Sequence, residues 1–279
     1  MNIVQQLAIA AHALCAVTDT PHLEAEVLLA HVLNKTRSYL KAYEETILSE
    51  TTLHIFEGLL KRRLMHEPIA YLIGKKAFWS FELAVNAHTL IPRAETECVI
   101  ETIMQLFPDR MMPLVMADWG TGSGAIALAL SCEYPAAMIT ALDCDDQAIA
   151  LAKTNAKTLQ ITHVTFQQAN WHDLPEGCQQ YDVIVTNPPY LTQAEWEQTI
   201  ALSFEPKQAL VGGEEGLEEI RHIIRCASSY LKPAGYLVLE HGYTQQPAVR
   251  QLLQQAGFQS IFSSKDLLGY DRVMVACYH

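Results

Sequence analysis

The sequence predicts an α/β fold, a seven-stranded and mainly parallel sheet preceded by a small helical bundle and a linking β-hairpin. Three observations lead there. From about residue 113, short apolar segments alternate with helical stretches, the pattern of strands joined by crossover helices that cover both sheet faces. A glycine-rich turn, "DWGTGSGAIALAL" (118–130), stands between the first of these strands and the helix after it. The first 75 residues instead space their apolar side chains at helical intervals.

In that first region Leu7, Ala10, Ala11 and Leu14 repeat at helical spacing. Thr20-Pro21 offers an N-cap and an N1 proline, opening a second helix with Leu23, Val27, Leu28 and Val32 inward. Ser49 caps a third, which carries Leu53, Phe56, Leu59, Leu60 and Leu64 and ends before Pro68. Some three short helices therefore form a bundle over residues 1–75. "KAFWSFELAVN" (76–86) is aromatic and alternating, so residues 76–90 are expected to link the bundle to the main domain, 91–279, through a β-hairpin.

Seven strands follow: "PLVMAD" (113–118), "MITALD" (138–143), "HVTFQQ" (163–168), "YDVIVT" (181–186), "GYLVLE" (235–240), "FQSIFS" (258–263) and "DRVMVACY" (271–278). Helical stretches near 124–133, 145–159, 214–231 and 245–256 separate most of them. In such sheets a ligand binds at the carboxyl ends of the strands, near the topological switch point.

Composition narrows the class. At 279 residues, half of them hydrophobic, the chain can bury a substantial core. Its longest apolar run falls far short of the roughly 20 residues of a membrane span. The N-terminus lacks the basic start of a secretory signal and reads as an amphipathic helix. Seven cysteines, an odd number without a C-x-x-C pair, argue against a disulfide framework or a metal site, so the cytoplasm is the expected compartment. The net charge of −12 falls unevenly, −1 over residues 1–75 and −11 over the rest. A nucleic-acid clamp needs a clustered basic face, which neither part offers.

Within the glycine loop, Gly120, Gly122 and Ala125 fit the dinucleotide pattern G-x-G-x-x-G/A, so a nicotinamide enzyme has to be considered. Asp118 argues against it, because a carboxylate before the loop would face a diphosphate. The same carboxylate suits a ligand with an ammonium and a sulfonium and no phosphate, which describes S-adenosylmethionine. Asp143, 19 positions after Gly124, stands where an acidic residue accepts from ribose hydroxyls; helix capping is the competing role. Trp171 offers a flat apolar face for an adenine, or simply core packing.

"VIVTNPPYLT" (183–192) ends a core strand with Asn187, Pro188, Pro189 and Tyr190. The strand cannot continue through two residues without N–H groups. A planar nitrogen that is to be methylated needs its N–H groups accepted by fixed oxygens above a flat surface. The Asn187 side chain and the Pro188 carbonyl supply two acceptors, the prolines hold both in place, and Tyr190 supplies the face. A rigid turn that only ends the strand explains the prolines but not the whole set.

N-P-P-Y behind such a glycine loop resembles class I (Rossmann-like) S-adenosylmethionine-dependent methyltransferases acting on planar amino or amide nitrogens. DNA adenine, RNA guanine and protein glutamine enzymes share it. The whole chain is similar to the last group, the bacterial peptide chain release factor glutamine methyltransferase (PrmC/HemK) family. "EPIAYLIG" (67–74), "FWSFEL" (78–83), "LIPRAETE" (90–97), "FEPKQALVGGEEGL" (204–217), "GYLVLEHG" (235–242) and "KDLLGYDRV" (265–273) carry that resemblance.

The resemblance implies methyl transfer to the glutamine of the Gly-Gly-Gln motif in class I peptide chain release factors, with S-adenosylhomocysteine as product. It implies that Gly120, Thr121, Gly122, Ser123 and Gly124, behind Asp118, hold the methionine end of the cofactor. Asp143 takes the ribose, Trp171 the adenine, and Asn187 lies between cofactor and substrate. Asn187, Pro188, Pro189 and Tyr190 bind the target glutamine, with Asn187, Pro188 and Tyr190 catalytic. A release factor is then the expected partner, docked on residues 1–75, with no direct nucleic-acid contact, no membrane and a monomeric enzyme. A DNA or RNA amino-methyltransferase is the alternative, and a non-catalytic sensor of S-adenosylmethionine has no use for the whole N-P-P-Y set. Three positions depart from the family: Ala94 for a usual proline, Trp119 for leucine and Asn170 for aspartate. No general base is required, because a methylated amide nitrogen releases its proton readily. His241 is read as structural, and Arg93, Glu95 and Glu97 fit either an ordered entrance or a solvated helix start.

Overall fold

A computed structural model describes residues 1–174 and 180–279. The chain forms two compact units, Met1–Lys75 and Lys76–His279.

The first unit is helical: α1 (Ile3–Leu14), α2 (Pro21–Leu33), α3 (Arg37–Ala42), α4 (Glu50–Leu64) and α5 (Ile69–Ile73). Asn2 opens α1 with a reciprocal capping box, accepting from Gln5 N while the Gln5 side chain accepts from Asn2 N. Ser49 accepts from Thr52 N at the start of α4, a cap worth about 1 kcal/mol. Thr20 stands at the N-cap of α2, but its side chain makes no capping bond; Pro21 sits at N1. The stripe that α2 buries is Ala25, Leu28, Leu29 and Ala30, with Val27 and Val32 only half-buried. Leu23, expected inward, is exposed, because it lies about 140° around the helix from Leu28. Ile3, Leu14, Leu28, Leu29, Leu40 and Phe56 form the fully buried centre of this unit. The short helices α3 and α5 escaped the sequence reading, being too brief to show a period.

The second unit opens with an antiparallel hairpin of β1 (Lys75–Phe78) and β2 (Phe81–Ala84). Asn155 holds its second strand, accepting from Ala84 N and donating to Ala84 O. The rest alternates as expected: α6 (Glu97–Leu106), β3 (Val115–Trp119), α7 (Ala125–Glu133), β4 (Met138–Asp143), α8 (Asp146–Thr158), β5 (Val164–Gln168), β6 (Tyr181–Thr186), α9 (Gln193–Gln198), α10 (Glu218–Ala227), β7 (Leu231–Glu240), α11 (Gln246–Gln255), β8 (Gln259–Lys265) and β9 (Asp271–Cys277). Helix α10 is shorter than the 214–231 expected. Residues 214–217 instead wrap the Glu218 carboxylate, which accepts from Glu214, Glu215 and Leu217 N–H groups. No helix among the described residues is long and apolar enough to cross a membrane.

The sheet runs β5-β4-β3-β6-β7-β9-β8, parallel except where β9 pairs antiparallel with β7 and β8. The chain builds outward from β3 through β4 to β5, then crosses to β6 on the other side, so the switch point lies between β3 and β6. Register brings the strand ends level. Trp119 pairs with Leu142 on one side and Thr186 on the other, and Thr186 pairs with Leu239. Gly120, Asp143, Asn187 and Glu240 therefore emerge side by side.

Candidate functional site

At those strand ends lies a cleft with about 800 Å³ of open space. Gly120, Thr121, Gly122, Ser123, Asp143, Trp171, Asn187 and Pro189 all line it, so the structure collects most of the residues singled out in the sequence. The segments 88–96 and 206–209 supply the remaining wall.

The glycine loop is held from beside and below. Gly120 and Thr121 donate to Leu142 O, and Gly122 donates to Asp143 Oδ2 at 2.8 Å. Asp143 Oδ1 accepts from Asp145 N, so both carboxylate oxygens are oriented by backbone N–H groups. Burial nevertheless pushes its pKa up, with those N–H groups pulling the other way. At Gly120 φ is +78°, and an added Cβ would stand 2.9 Å from Trp171 Cζ3. Only glycine lets the indole lie this close to the loop. The indole Nε1–H donates to Glu219 at 2.8 Å, and His172 Nε2 lies 2.9 Å from the same carboxylate oxygen, so Trp171 is held at its edge with a face on the cleft.

Asp118 differs from expectation. It is fully buried behind the loop and does not line the cleft. Its Oδ2 accepts from Thr121 Oγ1 at 2.6 Å and from Ala127 N at 3.1 Å, which ties loop to helix; Oδ1 has no partner among the described residues. Burial drives its pKa up to about 7, against the pull of Thr121 and Ala127.

On the other side of the switch point, Asn187 Nδ2 donates to Thr96 Oγ1 at 3.2 Å. That bond commits Nδ2, and Oδ1 accepts from no described residue; both Asn187 and Thr96 line the cleft. The Pro188 carbonyl likewise accepts from no described residue. Pro188 and Tyr190, with Asn187, line a second hollow next to the main cleft. The Tyr190 hydroxyl reaches Glu240 Oε1 at 3.3 Å, and burial pushes its pKa well above the usual phenol range. Remote segments clamp the loop. Leu191 exchanges backbone bonds with Leu210 and Gly212, and Gln245 donates to both Tyr190 O and Gly216 O. At Gly212 an added Cβ would stand 2.3 Å from Pro189 O.

Several of these holding residues were missed in the sequence. Glu205 is nearly fully buried, accepts from Ile91 N, and pairs with Arg93 at 2.5 Å. Arg93 lines the cleft and is tied to Glu205, and Glu97 accepts from Trp79 N in the hairpin. A charged residue closing an apolar strand, as in "LVLE", was the available signal for Glu240. His241 is buried with Nδ1 2.8 Å from Gly242 O, which suits a structural part. Trp119 packs edge-on against Tyr230 in the core, so this departure lies away from the cleft. Ala94 is exposed. Asn170 Oδ1 accepts from His172 N at 3.0 Å and is engaged in that turn rather than presented to the cleft.

An adenosine with an amino-acid tail fits this donor set. The cleft offers a flat indole, an oriented carboxylate, a glycine loop open to backbone approach and an unpaired buried acid beneath it. Among the described residues no cluster suits a metal ion.

Comparison with known proteins agrees. Residues 5–74 match the family described as PrmC N-terminal domain, and residues 114–266 match a methyltransferase domain. The chain is 42% identical to the release factor glutamine methyltransferase of Vibrio cholerae, over 94% of this chain and 91% of that one. It is also 42% identical to the protein of the same name from Coxiella burnetii, over 99% and 96%. A crystal structure of a methyltransferase from Pyrococcus furiosus shares the fold, with a TM-score of 0.53 and 18% identity, over 78% of this chain and 96% of that one.

Proposed function

The chain belongs to the release factor glutamine methyltransferase family, and on that premise we propose its reaction. It transfers a methyl group from S-adenosylmethionine to the side-chain amide nitrogen of the glutamine in the Gly-Gly-Gln motif of class I peptide chain release factors. The observation that carries this reading is the polarity of the loop after β6. Asn187 gives its Nδ2 to Thr96, which leaves Oδ1 and the Pro188 carbonyl as acceptors that no described residue uses.

An amide nitrogen is a poor nucleophile because its lone pair is shared with the carbonyl. Two fixed oxygens that accept its N–H groups stabilise the positive charge that develops on nitrogen, the reverse-polarity counterpart of an oxyanion hole. Such groups work because they are oriented before the reaction. Here the prolines restrict the backbone, Tyr190 gives the amide plane a flat neighbour, and Gln245 and Gly212 keep the loop from drifting.

The cofactor, when bound, supplies an electrophilic methyl group on a sulfonium. Gly120 to Gly124 hold its methionine end, Asp143 its ribose and Trp171 its adenine. Asp118 braces the loop from beneath through Thr121 and Ala127 without touching the cleft. The proton leaves the methylated amide to water, so none of the eleven histidines is needed as a base.

A lone glutamine offers little binding energy, so the helical unit of residues 1–75 serves as a second docking surface for the release factor. The enzyme works as a monomer in the cytoplasm, where its substrate acts. Labelled methyl transfer to purified release factor, DNA and ribosomal RNA, side by side, tests the substrate. Label in the release factor glutamine is expected; label in nucleic acid alone rejects the reading.

A further inference from the structure

Glu240 ends β7 beside Asn187, and its side chain is completely buried. Its Oε1 accepts from the Tyr190 hydroxyl, while Oε2 makes no hydrogen bond to a described residue. The nearby cation, Arg272, is bonded to Asp266 at 3.3 Å. A buried carboxylate without its own ion pair is costly to fold around. Something at this position has to use it.

The use lies in the geometry of Thr96. That hydroxyl accepts from Asn187 Nδ2, which leaves its own hydrogen free for another acceptor. The Glu240 carboxylate lies close enough to feel that hydroxyl, and its buried Oε2 is without a partner among the described residues. Were Thr96 to donate to Asn187 instead, the asparagine would turn over and offer Nδ2 to the cleft. A donor there cannot accept the N–H of a target amide. One buried acid thus bears on both walls of the acceptor pocket, on Tyr190 directly and on Asn187 through Thr96.

We propose that Glu240 is the positioning residue of this site, holding the Tyr190 ring and making Asn187 present an acceptor rather than a donor. The proposal rests on reading the cleft as a site of amide-nitrogen methylation. Burial that raises the Glu240 pKa to about 7, against the pull of Thr96, Arg272 and Tyr190, agrees with a group kept at a folding cost.

The test uses the full chain and compares Glu240→Met, Glu240→Gln, Thr96→Val and Thr96→Ser. Glu240→Met fills the same space without a polar atom, so a merely structural acid predicts an unchanged rate and equal or higher stability. Positioning predicts that Glu240→Met and Thr96→Val each lower kcat on release factor about tenfold or more, by analogy with loss of one preorganised partner. S-adenosylhomocysteine affinity should stay within about twofold of the parent, a shift under 0.5 kcal/mol. Glu240→Gln and Thr96→Ser, which keep the oxygen acceptor and the hydroxyl, should restore most of the rate. The Asn187 side-chain amide resonance, assigned by its loss in Asn187→Ala, should shift in Glu240→Met and Thr96→Val with no methyl acceptor present. An unmoved resonance, or an unchanged kcat in either variant, overturns the proposal. If the resonance moves but the parent methylates no release factor, the substrate reading falls and the positioning role stands.

Discussion

The glycine loop after β3 is held mainly by residues that follow it closely, with Asp143 only 21 positions from its partner Gly122. The Asn187–Tyr190 loop after β6 is held from afar: Thr96 bonds to Asn187 from 91 positions away, and Glu240 at the end of β7 and Gln245 beyond it reach back. The two loops stand on either side of one switch point, yet they solve different problems. The first offers a ligand its backbone and one carboxylate, groups that a single βαβ unit can orient alone. In the proposed reaction the second has to present two acceptors of fixed direction, and an asparagine amide is symmetric enough in shape to need an outside partner to choose its orientation. Local structure suffices for binding; choosing the polarity of a catalytic amide takes the rest of the fold.

The largest effect that sharpens this contrast belongs to Asn187. Asn187→Ala should lower methyl transfer on the order of 10²-fold or more, as removal of a preorganised transition-state partner does, with the melting temperature nearly unchanged. Asn187→Asp keeps an acceptor and should retain more activity than alanine. Initial rates on release factor check both, and near-parent activity in the alanine variant would reduce the loop to a strand terminator.

Asp143 probes the other loop. Asp143→Ala removes the acceptor for Gly122 N and Asp145 N as well as the proposed ribose partner. S-adenosylhomocysteine should bind the parent at low micromolar or tighter, on the order of −8 kcal/mol, and the variant about tenfold or more weakly. Calorimetry should show no binding of NAD to either protein. NAD binding abolished by the substitution would instead favour a nicotinamide enzyme.

Gly212→Ala tests whether remote segments hold the second loop. With its Cβ 2.3 Å from Pro189 O, the alanine has to push the loop or move itself, a strain of about 1–3 kcal/mol. The rate should fall several-fold to about tenfold while cofactor affinity stays near the parent value. Equal losses in both would mean that the two loops are not held independently.

The smallest effect is on stability and concerns Asp118. Its folded pKa of about 7 lies above the ordinary 3.8, so between those values the folded protein binds more protons than the unfolded chain. Stability contributed by this group is therefore fully present below pH 3.8 and is lost as pH rises toward 7 and beyond. Asp118→Asn should flatten that decline, read as a smaller difference in melting temperature between pH 5.5 and pH 8. Glu240 contributes in the same direction, its pKa also being raised to about 7 by burial.

Much of this was legible from residue order alone. The seven strands, the helices between them, the hairpin, the glycine loop and the N-P-P-Y turn all follow from periodicity, glycine and proline, which are local properties of the chain. So does the meeting of Gly120, Asp143, Trp171 and Asn187, because a parallel sheet with crossover helices sends every such loop to one end. Helix α6 carries a buried run of Cys98, Val99 and Ile100 of which the sequence offered only a helix start at Arg93, Glu95 and Glu97, and α9 has no fully buried residue. The tertiary structure alone decided that Asp118 lies behind the loop rather than in the cleft, and that Leu23 faces outward. It alone decided that Asn187 gives its Nδ2 to Thr96. Each depends on a neighbour far away in sequence, such as Thr96 or Glu240, whose distance from the site is set by register and packing. Spacing along the chain carries no record of which end of an amide a distant hydroxyl will hold.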